Sequence, residues 1–216
     1  MRNFLFRTFP FIGRLVSKTI SLEIVTTIMV LSNKPTKLTN ALLFFGRAKG
    51  DDNDQIFYKA AEAFHMNLIE CILINGTENE EKCGHAKTAW TKRLNNLGVT
   101  KVLSYKESSN TTEEAKNMII VAKEKNWKSA TILAQPHQVL RCMCALVKAM
   151  ENANYWMKIY CLIPDTSDWF EVTRGSGNQL PMERFKHIAL EYSRVLKYAS
   201  IGHTATLKEV FDYMRK

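Results

Sequence analysis

The sequence predicts one α/β domain built on a five-stranded parallel sheet, with extra helices at both termini. Three observations predict it. Five short apolar runs recur along the chain, segments of helical apolar spacing separate them, and turn-forming residues punctuate the joints. Strands and helices alternating at this interval imply right-handed crossovers, with helices on both faces of the sheet. The expected strand order is 3-2-1-4-5, which makes the first and fourth runs central.

Ala41 to Phe45 is a continuous apolar run ending at Gly46, as a strand buried on both faces would be. The polar loop Lys49 to Asp54 offers acidic residues to cap a helix in which Ile56, Phe57, Ala60, Ala61 and Phe64 recur at helical spacing. Leu68 to Ile74 reads as the second strand, closed by Asn75-Gly76. An acidic stretch from Thr77 to Cys83 leads to a helix from Gly84 to Leu97, and Gly98 stands where a helix-ending glycine would. Val99 to Ser104 is the third strand. The run Asn110-Thr111-Thr112-Glu113-Glu114 starts a helix, with capping-box spacing from Asn110 to Glu113 or from Thr111 to Glu114. Ser129 to Ala134 is the fourth strand, Pro136 opens a helix reaching about Ala153, and Tyr155 to Ile163 is the fifth strand. Pro164 to Pro181 reads as a polar loop. Two helices, Met182 to Ala199 and Thr206 to Arg215, close the sequence.

A length of 216 residues suits one sizeable core, and 46% hydrophobic with 24% charged residues excludes wholesale disorder. The cysteines Cys71, Cys83, Cys142, Cys144 and Cys161 form no C-x-x-C pair, and three lie in apolar runs. That usage predicts a reducing, cytoplasmic setting rather than a disulfide framework. The formal charge is +9, but Lys and Arg are spread over the whole chain without a polybasic tail or an aromatic-basic RNA-binding pattern. The excess therefore reads as a solvated surface, and no specific nucleic acid is expected as a partner. Residues 1–38 read as a helical extension packed on an α/β domain of residues 39–216. Phe4, Phe6, Phe9 and Phe11 make its start apolar, yet Arg14, Lys18 and Glu23 interrupt it. No uncharged run approaches the ~18 residues of a spanning helix. Peripheral membrane contact through residues 1–31 is the minority alternative.

In open parallel sheets, ligands bind beyond the carboxyl ends of the strands. Four loops are nominated on that ground. Gly46-Arg47 combines close backbone approach with a planar donor fork, or is a tight turn with exposed charge. Asn75-Gly76-Thr77 offers backbone N–H groups and a hydroxyl, although neither a Walker loop nor a dinucleotide fingerprint occurs anywhere. Glu107 through Glu114 brings a carboxylate, Ser109, Asn110 and Thr111 to a helix N-terminus; capping accounts for the asparagine and threonine but not for Glu107. Gln135-Pro136-His137 places a proton-exchanging imidazole four residues before Arg141, so both share one helix face, or both are surface residues. Metal binding is the poorer idea, since Cys142 and Cys144 lie two apart on a helix and face different directions.

The run ESSNTTEEAKNM, followed after a helix by ATILAQPHQVLRCM, resembles the YdcF-like family, which includes the SanA and ElyC groups. Glu107, Ser109, Asn110, Thr111, Glu113 and Ala115 fit the family's E-x-S-x-N-T-x-E-N-A type motif, and His137 with Arg141 fits its second. Gly84-His85-Ala86 resembles the G-x-[SA]-E-A region, and Glu191 to Gly202 the closing E-x-x-R segment. The resemblance spans roughly residues 40–212. It implies a Rossmann-like three-layer sandwich, with S-adenosylmethionine as a candidate ligand. The chain departs from the pattern where Gly46-Arg47 and Asn75-Gly76-Thr77 replace glycine-rich strand ends, where Glu114 stands for Asn, and at Lys87.

Three functional readings follow. The first is a binder of, or enzyme on, a small nucleotide-like or phosphorylated ligand, held by Gly46, Arg47, Asn75, Gly76, Thr77, Glu107, Ser109, Asn110, Thr111, His137 and Arg141. The second is a non-catalytic interaction module with a degenerate pocket. The third is a weak binder of anionic surfaces, nucleic acid or lipid, driven by charge alone.

Overall fold

The computed structural model describes residues 22–45, 54–75, 87–165, 168–173 and 180–216. Helix α1 occupies residues 22–32. Then follow β1 (Ala41–Phe44), α2 (Gln55–His65), β2 (Ile72–Ile74), α3 (Lys87–Asn96), β3 (Val102–Ser104), α4 (Thr111–Glu124), β4 (Ser129–Leu133), α5 (Val139–Asn152) and β5 (Lys158–Leu162). A short antiparallel pair, β6 (Val172–Thr173) and β7 (Met182–Glu183), precedes α6 (Arg184–Ser200) and α7 (Leu207–Met214).

The five long-range strands form one all-parallel sheet in the order β3-β2-β1-β4-β5, the order and the Rossmann-like layering expected from the sequence. The continuous apolar runs are explained by two-sided burial. On β1, Ala41, Leu43 and Phe45 face a core shared with α4, α5 and α7, while Leu42 and Phe44 face α2 and α3. The rings of Phe44, Phe57 and Trp90 meet at 5.3 and 5.4 Å in that second core. Strands two, three and five are shorter than the apolar runs suggest, because their first residues lead into the sheet without joining the ladder.

Local chemistry sets the element ends. Gly98 sits at φ +81°, where the chain turns back after α3, and a Cβ there would come within 3.1 Å of the His65 ring. Asp54 stands at the N-cap of α2 but makes no side-chain cap; its carboxylate pairs with Arg93 of α3 instead. At α4 the Asn110 side chain accepts from the Glu113 N–H at 3.0 Å, and Glu113 reaches back to Ser109 rather than to the N-cap backbone. Thr206 and Glu209 form a full capping box on α7. Because α7 is only 8 residues long and delivers Leu207 and Val210 to the core, Thr206→Ala should cost about 1 kcal/mol in urea unfolding. An unchanged midpoint would show that packing alone holds α7.

The stretch read as a polar loop, Pro164 to Pro181, is a correction: part of it pairs as β6 with β7. At the other margin of the sheet, the backbone of residue 33 runs beside β5. The Cys161 N–H donates to the Asn33 carbonyl at 2.8 Å, and the Asn33 side chain donates to the Ile159 carbonyl at 2.7 Å. No described helix is long and apolar enough to cross a membrane. Cys71, Cys142, Cys144 and Cys161 are buried free thiols. Burial pushes Cys71 up to about 11 and Cys144 up to about 12, so both are protonated and unreactive near neutral pH.

Candidate functional site

Strand order reverses between β1 and β4, so the crevice where a ligand is expected lies over the end of β4. There the chain runs Ala134, Gln135, Pro136, His137 before α5 begins, and it is buried almost throughout. Gln135 is 1% exposed and His137 7%. Helix α6 lies against α5 and directs an unusual stripe inward: Arg184, His187, Glu191 and Val195 are its buried residues. The result is a buried polar cluster at the C-terminal end of the strands.

Its contacts are specific. Arg184, fully buried, donates to Glu171 at 2.5 Å, to the Asp168 carbonyl at 3.2 Å and to Gln135 Oε1 at 3.4 Å. His187 Nε2 lies 3.0 Å from the Thr173 carbonyl, and its ring sits over that of His137 at 5.2 Å. Among the described residues, neither ring nitrogen of His137 has a hydrogen-bond partner; nor do His187 Nδ1 and Thr173 Oγ1. Buried polar atoms are nearly always satisfied, at a cost of ~1–3 kcal/mol each when they are not. Four such atoms in one cluster mark a place built for something other than apolar packing. Burial, reinforced by the nearby His187, Arg184 and Arg141 and opposed by Glu191, pushes His137 down to about 4. The imidazole is therefore neutral near pH 7, with a donor and an acceptor to offer.

One helical turn further, Arg141 is 8% exposed. Its Nε donates to Glu191 Oε2 at 2.5 Å and an Nη donates to Thr111 Oγ1, which ties the start of α5 to the start of α4. Glu191 is also held by Arg194, at 2.6 Å. The guanidinium of Arg141 is thus engaged internally, while the same residue also lines a cavity. Glu191 and Arg194 are the E-x-x-R pair seen in the sequence, one turn apart.

The other nominated residues divide. Asn110, Thr111 and Arg141 line one cavity of about 440 Å³, closed from the end of α6 by Tyr198, His203 and Thr204. Ser109 donates through both N–H and Oγ to Glu113 at 2.8 Å, a capping role. Glu107 is exposed, its carbonyl accepting from Asn117 at 3.3 Å, and it does not line that cavity. Asn75 is fully buried at the end of β2, with its amide against the backbone: it donates to the Ile74 carbonyl at 3.1 Å and accepts from the Met118 N–H of α4 at 3.3 Å. It joins β2 to α4 rather than facing open space. Gly46, Arg47, Gly76 and Thr77 lie outside the described residues. No group of three or more His, Cys, Asp or Glu able to hold a metal occurs among the described residues.

Gln135 stood in a nominated loop, but Arg184, His187, Glu171 and Thr173 were not among the nominated site residues. The spacing of Arg184, His187 and Glu191 at i, i+3 and i+7 was legible as one helix face, but a face is conventionally recognised by apolar residues. Compared with known proteins, this chain matches no family model, no curated protein and no solved structure.

Proposed function

We propose that this chain is a YdcF-like protein that binds a small phosphorylated or nucleotide-like ligand, S-adenosylmethionine among the candidates, in the crevice beyond the C-terminal ends of its strands. The observation that carries the reading is the buried His137, without a hydrogen-bond partner among the described residues, at the point where strand order reverses. A neutral imidazole there offers one donor and one acceptor to a ligand. Asn110 and Thr111, at the N-terminus of α4, add positive potential from the helix end.

A thermal-shift screen against nucleotides, S-adenosylmethionine and sugar phosphates tests it. A ligand at 100 times its Kd adds roughly 2.7 kcal/mol of apparent stability, a shift of several degrees for a domain of this size. His137→Leu should abolish the shift while leaving the ligand-free melting point equal or higher, because it removes two unsatisfied buried nitrogens. A hit that shifts both proteins equally would place the ligand elsewhere.

A second reading, an interaction module, is favoured by a different observation. The rings of Phe170 and Phe185 meet at 5.6 Å and remain 72% and 41% exposed, beside Val172 at 63%. A screen without hits would promote this reading.

A further inference from the structure

At the end of the sheet opposite the crevice, a cavity of about 600 Å³ opens between the start of β5 and the end of α7. Lys128, Trp156, Lys158, Tyr213 and Lys216 line it, and no side-chain carboxylate does. Trp156 is 48% exposed, and its ring stacks on Tyr213 with centroids 6.1 Å apart and planes 25° from parallel. Tyr213 is itself fixed: its hydroxyl donates to the Met157 carbonyl and accepts from the Ile159 N–H, both at 2.8 Å. The three lysines come from three separate stretches of sequence, and none has an ion-pair partner among the described residues. The Lys216 ammonium lies 5.5 Å from the Trp156 ring, the Lys158 ammonium 5.7 Å from that of Tyr160, and Lys128 donates to Asn126 at 2.5 Å.

A rigid aromatic shelf ringed by lysines suits a ligand with a flat π-face and a phosphate close by. We propose that this cavity binds a nucleotide unit, its base stacked on Trp156 and its phosphate among Lys128, Lys158 and Lys216, either as a free nucleotide or as part of a single strand. Stacking is tolerant of base identity, and lysine meets phosphate as a point charge, so recognition here is not sequence-specific. The net charge of +9 favours the approach of a polyanion. The site is independent of the crevice around His137, and its occupant does not depend on what binds there.

The test is binding of uridine monophosphate, followed by calorimetry, and of a labelled uridine oligonucleotide of about eight residues, followed by anisotropy over a range of salt. Binding of either supports the proposal, and which of them binds identifies the source. Trp156→Ala should weaken binding by roughly tenfold or more, the scale of one base stack, and Trp156→Phe should restore much of it. Because Trp156→Ala also removes the stack on Tyr213, Lys128→Gln with Lys158→Gln gives a second, surface-only variant. That pair should lower the slope of log affinity against log salt for the oligonucleotide by roughly 1.4. Failure of both probes to bind at low salt overturns the proposal. So does binding that is indifferent to Trp156→Ala, which would place the nucleotide at another site.

Discussion

Acidification from pH 7 to about 4 should cost the folded chain about 3 kcal/mol through His137 alone. An imidazole ordinarily takes up its proton near 6.5, whereas His137 in the native protein does so only at about 4. Above the ordinary value the group is neutral in both states and contributes nothing to pH dependence. As the pH falls through the window between the two values, the unfolded chain gains a proton that the folded one refuses, and stability drains away. About 2 kcal/mol of the loss is reached by about pH 5, before most carboxylates protonate. The cause is burial first, then the company of His187, Arg184 and Arg141, with Glu191 working the other way. Urea unfolding of the natural protein and of His137→Leu across this range isolates the effect, since every other titrating group is common to both. Parallel pH profiles would mean that solvent reaches the ring and that the cluster is wet.

The second large effect concerns Glu191. It is 2% exposed and holds two guanidinium groups, Arg141 on α5 and Arg194 on its own helix. Glu191→Leu removes the carboxylate paired with the buried Arg141, which should cost about 3–5 kcal/mol. Arg194 can swing into solvent, since its side chain is 24% exposed; Arg141, at 9%, cannot. The double variant Arg141→Met with Glu191→Leu should recover much of the loss, because a buried ion pair replaced whole by apolar groups is close to neutral. Equilibrium unfolding of the two single variants and the double closes the cycle. If the losses simply add, the two side chains do not depend on each other, and α6 is held to α5 by other contacts.

The fold was legible because two-sided burial writes itself into a parallel strand as an uninterrupted apolar run. ALLF and SATIL, with helical spacing after each, were expected to be central strands, and they are. The cluster over β4 was half legible. Motif spacing singled out His137, Arg141 and Thr111, and the last two do touch. What the spacing could not reveal is that α6 is turned inside out. Its buried stripe carries Arg184, His187 and Glu191, while Phe185, Ile188 and Leu196 face outward. A hydrophobic periodicity points that helix the wrong way, so Arg184 and His187 beside His137 went unread, and Glu191 was noticed by motif but not as the partner of Arg141. Lys128, Lys158 and Lys216 escaped for a related reason: they look scattered along the chain because only the sheet brings their three stretches to one rim.

The strand-like passage of residue 33 beside β5 bears on how copies of this chain meet one another. A sheet ends where its last strand has amide and carbonyl groups left over, and an identical molecule is always available to take them. Here Asn33 takes the Cys161 amide with its carbonyl and the Ile159 carbonyl with its side chain, while β3 at the far margin offers only 3 residues. The link that follows α1 is therefore a selvedge. It belongs to the folding unit as much as any strand does, and a chain severed after it would carry an open seam ready to be stitched to its neighbour.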